Sequence, residues 1–130
     1  MTTLADSNIF DTLPKDYLAL FEGKTPKYNR IIEFLDFKKE DISKATDVPL
    51  NSVRYEKDRI PKELHERIIE WAILLNLVAS HFKGDSNKTA LWFTIPNPLL
   101  GNVTPRDMIR FGRYKKLFQF ISNATAENKS

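Results

Sequence analysis

Leu64, Ile68, Trp71, Leu75 and Val78 recur at i, i+4, i+7, i+11 and i+14, which is the period of an α-helix with one apolar stripe. Pro61 precedes this run, and Gly84 with Asp85-Ser86-Asn87 closes it. The opposite face carries Glu63, Glu66, Arg67 and Glu70 early on but turns apolar by Ile73 and Leu74. A helix apolar on all sides over its second half must be covered, by the rest of the chain or by a second copy. The residues around Ile73 to Val78 are therefore expected to serve a core or a dimer interface. The apolar stretch is far shorter than the roughly 20 residues that span a bilayer.

Shorter helices flank the long one. Ile31, Ile32, Leu35 and Phe37 predict a helix over Tyr28 to Asp36, and Ile42 with Ala45 predicts a second over Lys39 to Ala45. Thr46-Asp47-Val48 reads as a turn, and Pro49 suits the first turn of a third helix reaching Lys57. Further on, Lys88 to Phe93 reads as helix and Ile95 to Gly101 as a Pro-stiffened loop. Thr104-Pro105 with Asp107 is a helix start. That helix ends near Gly112, and a last one runs from Arg113 to about Asn123. No long alternating run argues for a sheet, so the expected class is all-α. The expected division is an arm over 1–26, a helix-turn-helix region over 27–62, a helical domain over 63–123 and a flexible tail over 124–130. Within the arm, Tyr17 to Phe21 is expected to form a short helix ended by Gly23.

Charge sorts the functional options. The chain holds 20 Lys+Arg and 17 Asp+Glu, a formal +3. Residues 1–26 carry −2, residues 27–70 carry 0 and residues 71–130 carry +5. The candidate DNA-reading segment is thus neutral, where such domains usually show a basic stripe. There is no cysteine, which excludes thiolate metal sites and thiol nucleophiles. The two histidines, His65 and His81, lie 16 residues apart and make no metal pair. No Gly-rich phosphate loop or Gly-x-Ser-x-Gly turn occurs among four glycines, so neither an enzyme nor a cofactor is expected. The first residues show no basic region followed by an apolar one, so the expected location is the cytoplasm.

Between Phe37 and Ile60, inward Ile42, Val48 and Val53 have the spacing of a helix-turn-helix. Its outer side offers Lys38, Lys39, Asn51, Ser52, Arg54, Tyr55, Lys57 and Arg59 to DNA; Asn and Arg read base edges, while Lys, Ser and Tyr hold phosphates. The alternative is a small helical bundle with a solvated charged face.

The stretch Ala90-Leu91-Trp92-Phe93, Pro96-Asn97-Pro98-Leu99-Leu100-Gly101, Thr104-Pro105, Met108 and Gly112 resembles the toxin-binding domain of the Xre/MbcA/ParS antitoxins. The likeness covers roughly residues 28–122 when the helix-turn-helix region is included. Asn102 stands where that family often has a second Gly, and Arg113 to Phe118 is more basic and aromatic than its usual ending. The resemblance implies an antitoxin that binds and neutralises a RES-type, NAD-consuming toxin, forms a homodimer and represses its own operon at an operator. The implied toxin-binding residues are Trp92, Asn97, Leu100, Arg110, Arg113, Tyr114, Lys115 and Phe118; Arg110, Arg113, Lys115 and Lys116 would meet acidic groups of the partner, and Tyr114, Phe118 and Phe120 would act as aromatic anchors. Two alternatives remain open: a toxin-binding protein without DNA recognition, and a plain helix-turn-helix repressor.

Overall fold

A computed structural model describes residues 15–129, with side chains placed to residue 124. The expected arm residues Ile9, Phe10, Leu13 and Pro14 lie outside the described residues, as do the side chains of most of the expected tail.

The long periodic run forms α3 (Lys62–His81), and the other elements wrap it. α1 (Tyr28–Leu35) and α2 (Lys39–Thr46) come before it. α4 (Ser86–Thr94), α5 (Pro105–Arg110) and α6 (Tyr114–Lys129) follow. α3 packs against α1, α2, α4 and α6, which is why its second half is apolar all round. Ile73, Leu74, Leu75 and Val78 are buried by the chain itself, so of the two expected uses, core or dimer interface, it is the core that these side chains serve. Leu64, Ile68, Trp71, Leu75 and Val78 are all buried, as their period requires. Phe37 meets Trp71 edge to face at 5.6 Å between centroids.

The all-α reading holds, with one small exception at the start. Instead of the helix expected over Tyr17 to Phe21, a two-stranded antiparallel hairpin forms, β1 (Phe21–Glu22) with β2 (Thr25–Pro26). Gly23, at φ +64°, makes the tight turn between them. Leu18 and Leu20 are buried. The backbone N–H of Leu18 donates to Asn76 Oδ1 at 3.1 Å, and Asn76 Nδ2 donates to Asp16 Oδ1 at 2.9 Å. The Asp16 carboxylate also accepts from the N–H groups of Leu20 and Phe21. The polar residue interrupting the apolar stretch of α3 is thereby satisfied in the core, and it holds the incoming chain.

The third expected helix is replaced. Over Pro49 to Lys57 the chain makes only a 3-10 turn, Leu50–Ser52, leaves it extended at Val53, and continues without regular structure to a turn at 57–59. Asn51 and Ser52 are weak helix formers and Val53 is β-branched. A helix of this length needs tertiary packing to persist. Here packing asks only for Val48 and Val53, both buried, and an extended backbone at Val53 delivers its side chain. Asp47 takes the left-handed conformation at φ +61°, as its place in the turn requires.

Buried side chains from Leu18 to Ile121 form one continuous cluster, so the segments before and after α3 share a core. α6 continues as helix to Lys129, past the expected end near Asn123.

Candidate functional site

The loop between α4 and α5 is held from within. Asn97 Oδ1 accepts from the N–H of Leu99 at 2.9 Å, and the Asn97 carbonyl accepts from Leu100 and Asn102. Asn97 N–H donates to the Val103 carbonyl at 3.1 Å, closing the loop as an isolated antiparallel bridge. Gly101 and Asn102 both lie in the left-handed region, at φ +76° and +64°. Asn enters that region more readily than other side-chain-bearing residues, so it serves where the resembled family has Gly. Thr104 Oγ1 accepts from Asp107 N–H at 3.0 Å and Pro105 takes the first position of α5, as the sequence predicts. Past α5, Gly112 at φ +77° reverses the chain, and Arg113 N–H donates to the Met108 carbonyl at 2.8 Å.

This scaffolding lifts Leu99 into solvent: it is 80% exposed, between Pro98 and Leu100. Two hollows flank it. One, of about 220 Å³, is lined chiefly by Leu77, Phe82, Trp92, Asn97, Leu99 and Phe120. The other, of about 350 Å³, is bounded by Leu99, Leu100, Met108, Arg113, Lys116 and Phe120. Leu99 and Phe120 border both. Leu91 and Ile95 are exposed as well, and so is Phe111 at 57%. An apolar ridge with two adjoining depressions and a basic edge suits the docking of a protein surface.

The eight residues implied as toxin-binding do not form one set. Trp92, Asn97, Leu100 and Arg113 lie at the hollows. Tyr114 and Phe118 stack on each other at 6.0 Å, and both are half-buried. Burial raises the Tyr114 hydroxyl above its ordinary pKa, with the charge of Glu70 adding to the shift. Lys115 stands near enough to Glu70 to favour its ionised form, against the burial that raises that carboxyl. Tyr114 and Lys115 therefore lie towards Glu70 of α3, and Phe118 stacks beside Tyr114. Arg110 is engaged within the chain: it pairs with Asp107 at 2.9 Å and Asp41 at 3.7 Å, and lies over the Phe111 ring at 5.2 Å.

Leu99 belongs to the face without having been among the implied residues, while Lys116 and Phe120, expected as a cation and an aromatic anchor for the partner, both border it. The signal for Leu99 was an apolar side chain in a Pro-bounded loop that must lie at the surface. Nothing in the sequence placed Lys116 rather than Lys115 on this side, since that depends on how α6 is rotated against α3.

The eight candidate DNA-binding residues are spread over several backbone types. Lys38 and Lys39 open α2, exposed. Asn51 and Ser52 sit on the 3-10 turn; Arg54 and Tyr55 lie on chain without regular structure, and Lys57 and Arg59 on the following turn. Tyr55 is half-buried against the core. No helix here presents Asn51, Ser52, Arg54 and Tyr55 along one face.

Among the described residues no group of three or more His, Asp or Glu side chains could hold a metal ion, and no helix is long and apolar enough to cross a membrane. No family model and no curated protein matches the chain. It is similar to a chain in the crystal structure of the M. tuberculosis MbcT-MbcA toxin-antitoxin complex, with 26% identity over 78% of this chain and 91% of that one and a TM-score of 0.46. At that score the backbones superpose loosely, and the likeness assigns no role to any residue here.

Proposed function

We propose that the chain is a protein-binding antitoxin, which docks a toxin partner of the RES kind across the ridge at Leu99 and the two hollows beside it. The observation that carries this reading is Leu99 itself: a large aliphatic side chain held 80% exposed by a loop that Asn97 ties together from within. Exposure of that kind costs solvation and is recovered by a partner. Arg113 and Lys116 border the adjoining hollow and match an acidic rim. The identity of the partner as a RES-type toxin comes from the motif resemblance of residues 90–112.

The test is co-expression with the product of the neighbouring reading frame. The expected result is a stable complex and rescue of growth, both weakened by Leu99→Glu. No complex and no toxicity in the neighbour would sink the reading.

Repression of its own operon is a second reading. Exposed Lys38, Lys39, Asn51, Arg54, Lys57 and Arg59 supply the charges and polar groups that backbone contacts need. Without a helix over 49–57, base reading would require that segment to refold on DNA, so toxin binding without operator recognition is the better-supported form. A salt-dependent shift of the promoter fragment, lost in Arg54→Ala, would establish repression. A homodimer reading two half-sites would need a surface other than Ile73–Val78.

A further inference from the structure

The neutral charge of residues 27–70 hides a local sorting of charges. Between the β1–β2 hairpin, the turn at 57–60 and the start of α3 lies an open cleft of about 320 Å³. Lys24 from the hairpin, Lys57 from the turn and Lys62 from α3 all line it. No carboxylate does. Yet each lysine has acidic neighbours in sequence: Glu22 near Lys24, Glu56 and Asp58 around Lys57, Glu63 after Lys62. Among the described residues no ion pair engages any of the three. None of these carboxylate residues borders the cleft, while all three lysines do.

The remaining lining is mostly hydrogen-bonding. Thr25 adds a hydroxyl, and the Tyr28 hydroxyl lies 2.7 Å from His65 Nδ1. The imidazole tautomer sets which of the two donates; with the phenol donating to Nδ1, the ring keeps its N–H at Nε2. Ile60 supplies an apolar wall.

From this we infer that the cleft binds a phosphate-bearing small molecule. Three point-charge donors around one cavity call for several charges and several oxygens, which phosphate supplies and a single carboxylate does not. Lysine grips phosphate as a point charge, whereas the planar fork that selects carboxylates belongs to arginine, and no arginine lines the cleft. A concave site of this volume fits a small ligand, such as a diphosphate group, better than the convex backbone of a duplex. The site stands apart from the docking face and does not depend on the toxin reading.

The test titrates sodium pyrophosphate into the full chain at about 150 mM ionic strength, where exposed charges more than about 8 Å apart are screened. Two-dimensional NMR follows the His65 ring and the Lys62 amide. The expected result is saturable shifts at both, with the dissociation constant raised about tenfold or more in the Lys57→Gln, Lys62→Gln double variant. The Lys115→Gln, Lys116→Gln variant should bind as the parent does. All three lysines of the cleft are exposed, so the variants should melt as the parent does. Shifts that never saturate, or equal weakening in both variants, would overturn the proposal. So would a mixed-sequence duplex that displaces pyrophosphate and itself depends on Lys57 and Lys62, because the site would then be one for nucleic-acid backbone.

Discussion

Arg106, at the start of α5, closes the C-terminal end of α1: its Nε donates to the Leu35 carbonyl. Its terminal nitrogen donates to the Asp36 carbonyl at 2.6 Å, and the guanidinium lies 5.5 Å from the centroid of the Phe37 ring. The last carbonyls of a helix lack partners within it and carry partial negative charge, so a cation there is doubly favourable. Two segments 70 residues apart in sequence are joined by one side chain. Arg106→Leu should lower stability by about 2 kcal/mol, the range for hydrogen bonds to a charged group. Arg106→Lys should recover only part of it, because the fork and the stacking are lost. Urea denaturation of both variants checks this.

Asn76 sits at 3% exposure with its amide shared between Leu18 and Asp16. Asn76→Ala should cost about 1–3 kcal/mol, because the N–H of Leu18 and the Asp16 carboxylate lose their partner. The same variant should release residues 15–20, seen as faster amide exchange at Leu18 and Leu20 while α6 keeps its protection.

Leu99 should behave in the opposite way. Leu99→Glu removes almost no intramolecular contact, so melting should change by less than about 0.5 kcal/mol. Affinity for the partner should fall by about thirtyfold, as for a residue worth about 2 kcal/mol at the centre of an interface. Calorimetry against the purified partner separates the two effects. A large loss of stability instead would mean that Leu99 has a structural role.

The loop offers a conformational test. Asn102→Gly should leave stability nearly unchanged, while Asn102→Val should lower it by about 1–2 kcal/mol by forcing a β-branched residue to positive φ. Gly112→Ala should cost about 1 kcal/mol for the same reason; an added Cβ would make an ordinary contact with the Ala45 carbonyl oxygen at 3.8 Å, so the cost is one of conformation and not of space.

Two raised groups fix the sign of the pH dependence near α6. Burial raises the Glu70 carboxyl, against the lowering effects of Arg67 and Lys115. The folded state therefore holds that proton more tightly than the unfolded chain does. Its contribution is fully present below the ordinary glutamate pKa and is lost as pH rises through the raised one. Glu70→Gln should flatten that part of the stability curve. Tyr114 acts likewise at alkaline pH: stability should fall once the unfolded phenol ionises above about 10, and Tyr114→Phe should remove that loss. Thermal melts across pH 3 to 11 read both.

The parts of this fold that were legible are those where a local rule and the tertiary demand agree. Leu64 to Val78 repeats at helical period because one helix is surrounded by others, and Thr104-Pro105 starts a helix through its own side chain and ring. Residues 49–57 were misleading because Pro49 and the spacing of Val48 and Val53 fit a helix as well as an extended chain. Which of the two forms depends on the surface they pack against. The hairpin at Phe21 to Pro26 was hidden because two-residue strands have no period to detect. For the docking face, the loop was legible as a loop and the basic segment as basic. The division of Tyr114, Lys115 and Phe118 from Arg113 and Lys116 was not, since a helix rotation sets it and no residue type encodes that alone.

The single cluster running from Leu18 to Ile121 leaves no seam at which this protein can be dissected. A clone beginning at Tyr28 would discard Leu18 and Leu20, and one ending before α5 would strip Met108, Ile109, Leu117 and Ile121 from the same interior. Either fragment would lose binding through collapse rather than through removal of a contact. Deletion mapping will then assign every activity to every segment. Roles in a chain built this way have to be separated by single surface substitutions, each checked for an unchanged melting curve.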